Sequence, residues 1–287
     1  MKKIIFLAGL ASLLAVTYSC EEVLDQITSS NNSDSTDAKT SKGLKEALRV
    51  GTDSAVSRLN VTDGYFKDAA VKILLPEQIQ NTLTTFKSKS FTYLGVTVTG
   101  ETLYNTGFPA LGINPLKSKE EELILGINRA AEAAAVEAKP IFVDAITAMT
   151  IVDAKNILFG GVDTAATSYL KTNTYSGLFS KFEPKLDAAL NSVKIGDKSV
   201  AISYENFVSD YNGLLNTSVP SLTGGSKTVA SLMGLNSITA TDLSEHSTNK
   251  ALNGLFLKVS DVEADIRENP LARVTDLLKD VFGQLDK

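Results

Sequence analysis

Cys20 carries the clearest chemistry in this chain, and it is the only cysteine among 287 residues. It follows Thr17-Tyr18-Ser19, while Lys2 and Lys3 precede an apolar run over residues 4–16. A charged start, a short greasy stretch and a small residue before the cysteine form the grammar of a lipoprotein leader. The expected reaction is cleavage behind Ser19 and acylation of Cys20 by palmitate-like chains. A bilayer span takes about 18 apolar residues or more, so this run is too short to be one. One acyl chain holds a protein marginally and two hold it stably, so a lipidated Cys20 is a sufficient membrane attachment. No thiol then remains for a disulfide, and the fold must hold by packing.

Acid–base chemistry has few candidates. Glu132, Asp144 and Asp153 could each serve as the general base of a carboxylate hydrolase, provided a second acid or a metal lies in reach. On one straight helix, however, the nine residues from Asp144 to Asp153 turn the two carboxylates about 180° apart. His246 is the only histidine, no G-x-S-x-G elbow surrounds any serine, and histidine-rich zinc motifs are missing. Neither a dinucleotide nor a phosphate-loop glycine pattern is present, so no cofactor is expected. No EF-hand loop supports calcium, and no metal is expected. The catalytic assignment is therefore none, with a carboxylate hydrolase as the alternative.

A second group of polar residues sits where a core should be. Placed at about 100° per residue, Leu123, Ile127, Ala130, Ala131, Ala134 and Ala138 share one helix face. Arg129 and Glu132 fall on the far side, yet Leu125 and Val136 lie between them in angle. A helix wrapped on both sides would enclose Asn128, Arg129 and Glu132 in a polar seam. Enclosed charges must be paired, because an unpaired one costs several kcal/mol. Glu263 and Arg267 are spaced to pair along one helix, and Arg273 could complete a second polar knot. Both sets read as internal locks first and as ligand sites second.

These residues need elements to position them. Leu44, Ala47, Leu48, Gly51, Ala55 and Leu59 form one helical stripe, broken at residues 60–64. Residues 65–75 read as a short helix, and Pro76 suits the first position of the next one. Residues 91–98 alternate and predict a small hairpin. Ser118-Lys119-Glu120-Glu121 is a capping box opening a helix to about residue 138, with a kink or restart at Pro140. Thr150 to Asp153 reads as another capped start, closed by Gly160-Gly161. Asp163 and Thr174 are expected N-caps of two successive helices, and residues 203–215 form one more. Loops are expected at 95–117 and 216–241. A capping box at Ser260 to Glu263 and a start at Asn269-Pro270 complete the series. The fold class is mainly α: a multi-helix bundle of short and medium helices, with one small β-hairpin near 91–98.

Residues 1–19 are read as the leader and 20–42, rich in Ser, Asn, Asp and Thr, as a disordered tether of roughly 25 Å reach. Residues 43–287 form a single helical domain. Without Lys2 and Lys3 the mature chain holds 26 basic and 33 acidic residues, a net charge of −7. An acidic chain without a basic block argues against nucleic acid. Aromatics make up 7% and tryptophan is missing, which weakens sugar-stacking readings.

Several blocks carry a family resemblance. They are Gly43-Leu44-Lys45-Glu46-Ala47-Leu48, Asp63-Gly64-Tyr65-Phe66, Asn128-Arg129-Ala130-Ala131-Glu132, Pro140-Ile141-Phe142 and Met149-Thr150-Ile151-Val152-Asp153-Ala154. Ala251-Leu252-Asn253-Gly254-Leu255-Phe256 and the run from Ile266 to Arg273 join them. Together they resemble the uncharacterised bacterial domain-of-unknown-function family 4197, over residues 43–283. The resemblance implies export or lipid anchoring and brings no activity, so no functional residue is carried over. Family-patterned polar positions include Asn128, Arg129, Glu132, Arg267 and Arg273. Glu21-Glu22 after the cysteine resembles the acidic sorting signal of surface lipoproteins. The expectation is an envelope lipoprotein, anchored to the outer membrane through its lipid, that binds an envelope protein or small ligand or serves as a scaffold.

Overall fold

Leu44, Ala47, Leu48, Ala55 and Leu59 are all buried, so the stripe read from the sequence is the inner face of α1 (Cys20–Leu59). The computed structural model describes the backbone of residues 20–221 and 224–286, with side-chain surroundings from residue 36. The leader at 1–19 and the side chain of Cys20 lie outside the described residues. After α1 come α2 (Glu77–Lys87), α3 (Gly100–Thr106), α4 (Lys117–Ala148), α5 (Ala154–Phe159) and α6 (Ala165–Ser192). Then follow α7 (Val200–Asn216), α8 (Val229–Met233), α9 (Leu243–Glu268) and α10 (Asp276–Phe282). The class is mainly α, as the periodicity requires.

Four long helices close a ring. α1 packs on α4 and α9, and α6 packs on the same two from the opposite side. Phe142, Phe182 and Phe256 fill the interior they share, and Phe142 and Phe256 meet at 5.1 Å. α7 covers α4 and α6, while α10 and α5 cover α1. Gly43 permits the α1–α10 crossing, since a Cβ there would come within 2.6 Å of the Val281 side chain. Among the described residues sheet is confined to antiparallel hairpins. β1 (Ser90–Tyr93) pairs with β2 (Val96–Thr99), with Phe91 opposite Val98 and both buried. β3 (Lys194–Ile195) pairs with β4 (Lys198–Ser199), and β5 (Ser218–Pro220) with β6 (Ser226–Thr228). No described helix is long and apolar enough to cross a membrane.

Several local expectations are corrected. Residues 20–42 are helical rather than coil along the backbone, and the packed region begins upstream of residue 43. Thr40 is 1% exposed, Lys39 pairs with Asp280 at 3.0 Å and Asp37 with Lys155 at 2.9 Å. Composition undervalued this stretch because its partners come from α5 and α10. A chain starting at residue 36 should therefore unfold as the longer one does. Starting at residue 43 should cost about 2 kcal/mol and lower the thermal midpoint by about 5 °C. Equal midpoints for the two truncations would return the boundary to residue 43.

Residues 65–75 are turns and extended chain, not a helix. Val71, Ile73 and Leu75 are buried while Leu74 is exposed, an alternation that suits a strand-like segment. The box at Ser118 is not formed: α4 starts at Lys117, and the Glu120 amide donates to the Leu116 carbonyl. Pro140 lies inside α4 on its wet side, where the carbonyl it deprives can reach water. α6 and α9 run unbroken through Thr174 and Ser260, whose hydroxyls donate to the Leu170 and Leu257 carbonyls. Residues 216–241, expected as loop, hold β5, β6 and α8.

Candidate functional site

Asn128 is fully buried, and its amide behaves like a strand neighbour. Oδ1 accepts from the Ile73 amide at 2.9 Å, and Nδ2 donates to the Ile73 carbonyl at 2.7 Å. One turn on, Glu132 Oε1 accepts from the amides of Tyr65 and Phe66, each at 3.2 Å. Its other oxygen receives Arg129 at 2.6 Å, and the same guanidinium donates to Asp63 at 2.6 Å. The segment 63–73 is thus fastened to α4 by three consecutive polar positions. Lys67 first, and then Arg129, hold the Asp63 carboxyl below the usual carboxylate range. Burial pushes the Tyr65 phenol up, and its hydroxyl donates to the Ala251 carbonyl at 2.9 Å. At Asn128, Arg129 and Glu132 the wrapping expected around α4 comes from this segment. Val136, expected inside, is 47% exposed.

The second knot also forms, and it serves helix ends. Glu263 is fully buried, and its oxygens accept from the amides of Ala166 and Thr167 at 2.9 and 2.7 Å. Those amides open α6, whose own N-cap Thr164 makes no side-chain hydrogen bond. Arg267 donates to Glu263 and to the carbonyls of Leu158 and Ile157, which end α5. Arg273 donates to the Ile266 and Arg267 carbonyls, which end α9, and grips Asp286 at 2.6 Å. A helix end leaves main-chain groups unsatisfied and partly charged: positive at the N-terminus, negative at the C-terminus. Here a carboxylate meets an N-terminus and guanidinium groups meet two C-termini. These charges cap in trans what the local sequence leaves open.

The two knots share no hydrogen-bond partner, and the carboxylates at their centres are engaged by main-chain amides and guanidinium groups. The catalytic candidates do not converge either. Asp144 is exposed, Asp153 accepts from Asn156 at 2.7 Å, and Glu132 is engaged on both oxygens. His246 bonds the Leu74 carbonyl at 2.9 Å. Burial lowers its pKa, and the nearby Lys250 lowers it further. Among the described residues no cluster of three or more His, Cys, Asp or Glu could hold a metal.

What the knots do is hold the walls of a cleft of about 540 Å³ between the segment 70–72, α6 and α9. Val71 and Lys72 come from the segment that Asn128 and Glu132 fasten. Thr167, on the facing wall, is fastened by Glu263. Gly254 lets the walls meet, since a Cβ there would lie 2.9 Å from the Tyr65 ring. On another side of α6, Ile141, Ala145 and Leu178 line a more apolar groove of about 390 Å³. The lysines of the larger cleft, Lys72, Lys171 and Lys250, went unnoticed in the sequence. They come from three distant segments, so no spacing announces them.

No curated protein and no solved structure matches the chain. A family model described as "Protein of unknown function (DUF4197)" matches residues 34–94 and 110–283. Its match starts in the stretch where the packed contacts of α1 begin and ends just past α10. By that match, which covers most of its length, this chain belongs to the DUF4197 family.

Proposed function

We propose that this protein is a lipoprotein of a bacterial envelope, held to the outer membrane by acylated Cys20, that works by binding or scaffolding rather than by catalysis. The observation that carries the second half is the commitment of the interior charges. Glu132, Glu263, Arg267 and Arg273 all hold main-chain groups, which is the work of a rigid support. Their hydrogen bonds are made, so none is poised to move a proton. The leader grammar supports the first half. Two acyl chains would suffice for stable attachment without a spanning helix. The acidic chain suits a partner that is a protein or small molecule rather than nucleic acid.

Growth on labelled palmitate followed by membrane fractionation tests the anchor. Wild-type chain should carry label and sediment with outer membranes, while Cys20→Ala should be unlabelled and leave them. Label that persists in Cys20→Ala, or its lack in the wild type, would end the reading.

A further inference from the structure

The cleft bounded by Lys72, Lys171 and Lys250 has a charge problem that the protein does not solve internally. Its lining holds three ammonium groups and no carboxylate. Lys72 lies over the Phe66 ring at 4.2 Å, and Lys171 donates to the neutral amide oxygen of Asn253 at 2.7 Å. Among the described residues neither of these, nor Lys250, has a salt-bridge partner, although Lys39, Lys67, Lys117, Lys119 and Lys258 all do. Carboxylates beside the lining are matched elsewhere: Asp68 and Asp261 by Lys258, and Glu263 by Arg267. Asp163 precedes the lining residue Thr164 but stays outside the cleft, exposed. In a chain of net charge −5, three converging cations without counter-charges are a local reversal of sign.

We propose that this cleft is an anion-binding site, and that Lys72, Lys171 and Lys250 take a small molecule bearing a phosphate or pyrophosphate group. The floor of Val71, Gly254 and Phe256 is buried and largely apolar, and such walls focus the field of the ammonium groups. The hydroxyl of Ser168, at the rim, adds a donor. An ammonium binds phosphate as a point charge, and three of them suit the multiple charge of a phosphate or pyrophosphate better than the single charge of one carboxylate. The volume of about 540 Å³ admits more than the anion itself, so the phosphate would be one end of a larger ligand. The two polar knots gain a purpose, for they fix the walls from which the lysines project. The assignment does not depend on the lipid anchor.

Titration of the full chain in neutral detergent with inorganic pyrophosphate, at low ionic strength, tests the site. Saturable heat with one site per chain is expected. The triple variant Lys72→Gln, Lys171→Gln, Lys250→Gln should bind at least about tenfold more weakly, since it removes the whole local field. A control triple, Lys42→Gln, Lys89→Gln, Lys194→Gln, removes the same net charge outside the cleft and should stay within about twofold. Thermal unfolding of both triples confirms that each is folded. Phosphatidylcholine vesicles with and without phosphatidic acid identify the source of the phosphate. Competition by phosphatidic acid assigns a lipid headgroup, its lack assigns a free molecule, and either result keeps the site. Equal weakening in both triples, or no saturable binding by the wild type, overturns it.

Discussion

Glu263→Ala should be among the most damaging single substitutions in this protein, at about 3–5 kcal/mol, the range for breaking a buried ion pair from one side. The carboxylate is fully buried and holds four donors: the amides of Ala166 and Thr167, the Thr167 hydroxyl and Arg267. Removing it strands the guanidinium and opens the start of α6 together. Chemical denaturation measures the loss. An isolated buried pair can often be replaced by apolar residues of similar size at no cost. That should fail here. In Glu263→Met with Arg267→Met, the N–H groups of Ala166 and Thr167 and the carbonyls of Ile157 and Leu158 would still lack partners. A double variant as stable as wild type would show that trans-capping contributes nothing.

Glu132→Ala should cost about 2–3 kcal/mol, because the Tyr65 and Phe66 amides lose their acceptor and the Arg129 guanidinium keeps only Asp63. Arg129→Ala should cost less, about 1 kcal/mol, since its side chain is 30% exposed and partly screened. The double variant should cost little more than Glu132→Ala, because the residues act on one latch. Hydrogen exchange gives the sharper reading. The amides of Tyr65, Phe66 and Ile73 should exchange faster in Glu132→Ala, while those in the middle of α9 keep their protection. The loosened wall should also weaken pyrophosphate binding, although Glu132 does not line the cleft. Unchanged exchange over 63–73 would mean that the carboxylate does not hold the segment and is free for another role.

The seam shows how far residue patterns reach. Asn128 and Glu132 are enclosed as the sequence suggests, but Val136, one of the two apolar residues on which that reading rests, is exposed, and Arg129 stays 30% exposed. The pairing of Glu263 with Arg267, one turn apart, was legible from local spacing. What they hold was not legible. Ile73, Tyr65 and Ala166 lie 55 to 97 residues from the groups that bind them, and no pattern links an acid to a remote amide.

The chain's own order of residues determined the helical class, the inner face of α1, the break at 60–64 and the hairpin at 90–99. Each follows from side-chain period or turn chemistry within a few residues. Tertiary structure alone decided that α6 and α9 continue through Thr174 and Ser260. A hydroxyl can cap a helix start or bond a carbonyl one turn back, and only burial of the neighbours selects between them. It also decided that residues 65–75 form turns and a short extended stretch rather than a helix, since Asn128 and Glu132 offer the hydrogen bonds a helix would otherwise supply. The lysine cleft belongs wholly to this second class. Like charges repel and do not gather by local preference, so their convergence is imposed by the packing of three segments whose walls are fixed from behind.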